Sequence, residues 1–153
     1  MSFGMIFSII IIVIALAVAG YVIWNFIKFR DCSQIGQFYD NLKTEVDKAY
    51  GSQGTQKSYN GYVPTIVDDV CIGKLTDNAI GDDKIKQTNF KKASSGDSNV
   101  FLSPYPAKCG RKYAEYKLDH VATSEFFCVS SVSGKITLKV TKDTFEPTVR
   151  LGK

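Results

Sequence analysis

Ile6-Phe7-Ser8-Ile9-Ile10-Ile11-Ile12-Val13-Ile14-Ala15-Leu16-Ala17-Val18-Ala19 is the run on which the reading of this chain turns. It carries no charged side chain, and neither does the wider stretch 1–27. A helix rising about 1.5 Å per residue crosses the roughly 30 Å hydrocarbon core in about 20 apolar residues, so residues 1–30 read as a transmembrane helix with room for tilt. Tyr21 and Trp24 suit the membrane interface, and Lys28 and Arg30 mark the wet end. Ala17-Val18-Ala19 ahead of Gly20 has the small-residue pattern of a secretory cleavage site. No basic residue precedes the run, however, and apolar character continues through Tyr21-Val22-Ile23-Trp24 and Phe26-Ile27, so an uncleaved anchor is the expectation.

The polar remainder of the chain has the size of one modest domain. The chain has 153 residues and a formal charge of +4, and every charged side chain lies beyond residue 27. Both signs are interspersed there, which describes a solvated surface and not a nucleic-acid stripe. Cys32, Cys71, Cys109 and Cys128 are well separated, and His120 is the one histidine. A structural zinc site needs closely paired ligands, so two disulfides fit the pattern better. Three pairings are open, as are four buried free thiols. The strand-like settings Val70-Cys71-Ile72 and Phe127-Cys128-Val129 favour Cys71 with Cys128 and Cys32 with Cys109. Disulfides imply an oxidising compartment, or the cytoplasm of a hyperthermophile. Lys28 and Arg30 by themselves would place the domain in the cytoplasm by the positive-inside rule; two charges with Asp31 beside them are a weak bias, and the expectation is an extracytoplasmic domain.

Past the span, Ile35, Phe38, Leu42, Val46 and Ala49 recur at spacings of 3, 4, 4 and 3, which predicts an amphipathic helix over 31–50 whose stripe packs on the domain. No proline occurs before Tyr50, so span and stripe form either one rod of about 45 residues or two helices broken at 30–33. Turn residues at 51–55 end it. The rest, 51–153, reads as β-rich, with segments at 62–67, 69–74 and 99–103. A hairpin is expected from 126–130 and 136–141, and a last strand carrying Phe145, Val149 and Leu151, demoted to an edge by Pro147. Residues 76–98 read as a mobile polar loop with at most a helical turn. The expected fold class is α+β: a long N-terminal helix, transmembrane then amphipathic, followed by a small antiparallel sheet domain.

Catalytic signatures are missing. The chain has no Walker loop, G-x-S-x-G, H-E-x-x-H or dinucleotide fingerprint. Cys128 or Cys109 with His120 is the one nucleophile-and-base pairing worth naming, and a disulfide is the more ordinary role for either cysteine. Asp68-Asp69 and Asp82-Asp83 lack the spacing that wraps calcium. Tyr59, Tyr62, Tyr105, Tyr113 and Tyr116, with Lys108, Arg111, Lys112 and Lys117 nearby, would make either an aromatic and basic contact face or ordinary cover for a small sheet. No N-x-S/T sequon or lipobox is present. The expectation is a non-enzyme with no cofactor, no metal, no nucleic acid and no small-molecule substrate.

A helix apolar in its first half and amphipathic in its second, followed by a sheet, resembles type IV pilin-like subunits in architecture. The resemblance implies that the apolar half is held in the membrane before assembly and packs in the filament core afterwards, with the sheet domain outermost. The chain departs from that family in having no charged leader before the run and in carrying Met5 where many pilins have a glutamate; a subunit numbered from its processed end would account for the first. At motif level, Met1-Ser2-Phe3-Gly4-Met5-Ile6-Phe7-Ser8, Gln34-Ile35-Gly36-Gln37-Phe38-Tyr39-Asp40, Val70-Cys71 and Gly134-Lys135-Ile136-Thr137-Leu138-Lys139-Val140 are similar to small single-pass membrane proteins of archaeal type, a group that implies a layout without an activity.

The expected function is therefore a structural, pilin-like subunit. Its partners are the lipid bilayer and other copies of itself, met through Ile6, Ile9, Ile10, Val13, Ala17, Gly20 and Trp24. Gly4, Ala15 and Ala19, with Ala17 and Gly20, permit close helix approach. The alternative is a bilayer-anchored extracytoplasmic binding module that recognises a partner through residues 76–98 or its tyrosine-rich face.

Overall fold

A computed structural model describes residues 3–94 and 96–153. Met1, Ser2 and Ser95, which belong to the predicted span, the leading motif and the predicted polar loop, lie outside the described residues. The fold is α+β. Helix α1, Phe3–Tyr50, runs unbroken for 48 residues, about 72 Å at 1.5 Å per residue. The one-rod alternative is the correct one: no proline or paired glycine interrupts residues 28–34, and Asp31 and Ser33 sit inside the helix instead of capping a second one. Gly51 and Ser52 end it by donating their backbone N–H groups to the carbonyls of Asp47 and Ala49, at 3.0 and 3.1 Å.

The remaining elements make the head. They are β1 (Thr55–Tyr62), β2 (Asp69–Ile72), α2 (Asp82–Ala93), β3 (Val100–Ser103), two 3-10 turns (Ala107–Cys109 and Arg111–Tyr113), β4 (Glu115–Tyr116), β5 (Val121–Ala122), β6 (Phe127–Ser130), β7 (Lys135–Lys142) and β8 (Val149–Gly152). The strands form two four-stranded sheets, ordered β1-β7-β8-β5 and β4-β3-β2-β6. The pairs are antiparallel except β5 with β8, which is parallel with Val121 opposite Val149.

The main core is where the helix stripe meets both sheets. Ile35, Phe38, Leu42, Val46 and Ala49 are all buried, against Ile136, Leu138 and Val140 of β7, Val149 and Leu151 of β8, and Val70, Ile72, Val100 and Leu102 of the second sheet. Tyr39 joins them, its hydroxyl donating to the Tyr113 carbonyl at 3.0 Å and its ring stacked on Tyr116 at 4.7 Å. Gly61 lets β1 approach the helix: a Cβ there would stand 2.8 Å from the Phe38 ring. The far face of the second sheet has its own core, in which Cys71, Phe101, Phe126 and Cys128 pack under Phe90 of α2.

Several expectations are corrected. Residues 82–93, expected within a mobile loop, are the three-turn helix α2. Its one buried residue is Gln87, whose side-chain N–H group donates to the Asp77 carbonyl at 2.7 Å; a glutamine anchor leaves no apolar period to read. Asp82 and Asp83 in its first turn and Lys91 and Lys92 in its last do match the helix dipole. The strand expected over 62–67 is absent beyond Tyr62; Pro64 removes a ladder donor, and strand β1 occupies the preceding polar segment.

The segments 126–130 and 136–141 do not form a hairpin. Strand β6 pairs with β2, and β7 pairs with β1 and β8 in the other sheet. Burial explains the separation: β6 belongs to a sheet covered on both faces, whereas β7 keeps Lys135, Thr137 and Lys139 exposed. Strand β8 is internal, between β7 and β5, because Pro147 falls two residues before it and costs no ladder bond. Phe145, expected to share its buried face, is 96% exposed in the connection ahead of the strand.

Candidate functional site

The feature that sets this molecule apart is the first half of α1. Every large hydrophobic side chain described from Ile6 to Phe29 is exposed, at 48% to 71% of its surface. The expected assembly residues Ile6, Ile9, Ile10, Val13, Ala17, Gly20 and Trp24 are all on this bare part of the helix. Two of its polar side chains are satisfied within the helix: the Ser8 hydroxyl donates to the Gly4 carbonyl and the Asn25 amide to the Tyr21 carbonyl, each at 2.9 Å. Such a surface suits hydrocarbon, where each backbone and side-chain polar group needs an internal partner. In water it would forfeit about 1.5–3 kcal/mol for each large apolar side chain left uncovered. One helix is thus long and apolar enough to cross a membrane.

The head grips the helix close to that surface. Cys32 is bonded to Cys109, with Cα atoms 5.3 Å apart, which ties the turn Ala107–Cys109 to α1 only five residues beyond Ile27. Cys71 is bonded to Cys128, directly opposite in the β2–β6 ladder, with Cα atoms 3.9 Å apart. These are the pairings that the strand settings of Cys71 and Cys128 favour in the sequence. They close separations of 77 and 57 residues, and loops of that length stabilise a fold by about 4 kcal/mol each in the chain-entropy account.

With all four sulfurs in disulfides, neither Cys109 nor Cys128 can serve as a nucleophile for His120. His120 is instead an exposed turn residue at φ 63°, stacked on Tyr50 at 3.9 Å, whose backbone carbonyl accepts from Val149. Asp69 is buried and committed to structure, accepting from Lys86 and from the Ser130 hydroxyl at 2.7 Å each. Asp83 pairs with Lys153 at 3.1 Å. Among the described residues no group of three or more His, Cys, Asp or Glu is placed to hold a metal ion.

The tyrosines do not make one face. Tyr59 is buried in the main core, and burial, helped by the nearby Glu45 charge, pushes its hydroxyl up to about 12. Burial likewise raises Tyr39, with Glu115 and Tyr116 adding to it. Glu45 is lowered by hydrogen bonds from Lys57 and Lys48, at 2.5 and 3.1 Å, and this carboxylate pins β1 to the helix. Tyr62 and Tyr105 are the exposed members. Beside Tyr62 lies a polar groove of about 350 Å³ between Arg30, Asp31 and Gln34 of the helix and Pro64, Ser133 and Gly134 of the loops. The spacing of Ile35 to Ala49 announced the buried stripe, whereas nothing short of the tertiary fold could have brought residues 62–65 and 133–134 beside the helix face that runs from Arg30 to Asn41.

Comparison with protein-family models, with curated proteins and with solved structures finds no match. The class rests on the fold: a disulfide-stapled α+β head on a helix that continues, bare and apolar, for the length of a membrane span.

Proposed function

We propose that this chain is a structural, pilin-like subunit, held in a membrane by the first half of α1 before assembly and packed through that same half against other copies in a filament or bundle. The observation that carries the reading is the unbroken helix, gripped by its head from Cys32 onward and bare from Ile6 to Phe29. A rigid stem of this kind can pass from lipid to a bundle of like stems without refolding, because both surroundings cover the same side chains. The small residues Ala15, Ala17, Ala19 and Gly20 favour close stem-to-stem approach. The two disulfides support an extracytoplasmic head.

Electron microscopy of the full chain after detergent removal, and of the surface of cells that make it, tests the assembly. Filaments with the stems inside are the expected result. A monomer that stays single in lipid discs and copurifies with a stoichiometric partner would replace this reading with that of an anchored binding module. Thiol labelling tests the sidedness: the cysteines of intact cells should react only after reduction, and free thiols labelled only on lysis would place the head inside.

A further inference from the structure

The head has no linker. Headgroups occupy roughly 5–7 Å on each side of a bilayer's hydrocarbon core, and Cys32 stands five residues, about 7.5 Å, beyond Ile27 on an unbroken helix. Whatever surrounds α1 at the level of Arg30 to Gln34 is therefore held against the headgroup zone whenever the stem is in lipid. Three separate pieces of chain pack on α1 at this end of the head, between Arg30 and Asn41. The first is the turn Ala107–Cys109, bonded to Cys32 and followed by Arg111–Tyr113. The second is the end of β1 with Tyr62 to Thr65, which lines the groove beside Arg30. The third is the tight turn from Val132 to Lys135, where Gly134 lines the same groove and accepts from the Val63 N–H at 2.8 Å.

This rim is basic and carries apolar tips. Arg30, Lys108, Lys112 and Lys135 are exposed on it, against Asp31 and Asp68. Arg111 is neutralised by Glu115 at 3.2 Å. Tyr62 and Val132 are 70% and 74% exposed there, whereas Tyr105 lies beside Phe90 and Ser94 at the end of α2. At the far end of α1 the surroundings differ: Lys142 is occupied by the carbonyls of Tyr50 and Ser52, and Phe145 is the exposed apolar tip.

We infer that this rim is a docking collar for the anionic headgroups of the leaflet from which the stem emerges: its lysines meet lipid phosphates, and Tyr62 and Val132 dip into the interface. Tyrosine is enriched at that depth in membrane proteins, and each lysine near an anionic surface favours contact about fivefold. The collar fixes the tilt of the head on the membrane, so that subunits present their stems in a common orientation. The inference rests on the membrane-held state proposed above and not on the filament.

The test uses the full chain with labelled methyl groups in lipid discs carrying a nitroxide on a fraction of the headgroups, either with one-third phosphatidylglycerol or with phosphatidylcholine alone. In anionic discs the Val132 methyl signals should be attenuated, and at least twofold less so in phosphatidylcholine. Lys108→Glu with Lys112→Glu and Lys135→Glu should give the same loss in anionic discs, and the corresponding Gln variant a partial one. Unchanged Leu138 shifts certify the folded head, and Val13 methyl signals broadened by acyl-chain nitroxide certify the inserted stem. Equal attenuation of Val132 in both lipids and in the Glu variant, or none at all beside an inserted stem, would overturn the collar. A stem that is itself absent from the discs would overturn the membrane-held state, and the collar with it.

Discussion

The two halves of α1 share one helix and invert the usual relation between hydrophobicity and burial. Residues 6–29 are the more apolar half and have no buried side chain among those described, whereas residues 35–49 are mostly polar and bury Ile35, Phe38, Leu42, Val46 and Ala49 almost completely. Arrangement decides the outcome. A stripe repeating every three or four residues fits one surface, and the head supplies that surface. A helix that is hydrophobic all round needs an apolar medium on every side, and a head of this size cannot wrap it. The stem is thus an unfinished interface and the stripe a finished one.

The contrast predicts that damage to the head and damage to the stem are separable. The largest effect belongs to the disulfides. Replacing Cys71 and Cys128 together by Ala should cost the head about 4 kcal/mol, read by chemical denaturation of the detergent-solubilised chain, while membrane association persists. Next comes the paired comparison of Leu42→Ala with Leu16→Ala. The first empties a fully buried position and should cost about 2–5 kcal/mol; the second should leave head stability within about 0.5 kcal/mol. Equal losses at both positions would break the division of the helix into two regimes.

A smaller effect is the alkaline limit. Tyr39 and Tyr59 are raised in the folded head and ionise near 10 once unfolded, so the unfolded state binds fewer protons above that pH. Their contribution is fully present below about pH 10 and is lost as the pH climbs through about 12 for Tyr59 and further for Tyr39. Tyr39→Phe should flatten part of this slope in alkaline denaturation, at the cost of the hydrogen bond to Tyr113. A slope unchanged in Tyr39→Phe would mean that other groups carry it.

How much of the molecule is legible in its sequence varies with the kind of signal. The stem and the stripe are plain, because a 27-residue charge-free stretch and a 3-4-4-3 spacing are local patterns that only a helix satisfies in these surroundings. The alternation of Ile136, Leu138 and Val140 reveals a strand with one wet face, but not its partners: the turn at Ser133-Gly134 looks like a hairpin connection and in fact passes the chain between sheets. Helix α2 is hidden because its anchor is Gln87, held by hydrogen bonds and not by an apolar face. The rim around Arg30 is hidden for a different reason. Tyr62, Val132 and Lys108 are far apart along the chain, and it takes the Cys32–Cys109 bond and the packing of β1 against β7 to bring their segments to one end of the head.

Sedimentation of the full-length chain in detergent-free buffer, with and without vesicles, puts the bare stem to the most direct test. The account predicts that it floats with vesicles or sediments as assemblies, its apolar half covered in either case. A monodisperse, freely soluble monomer would contradict it.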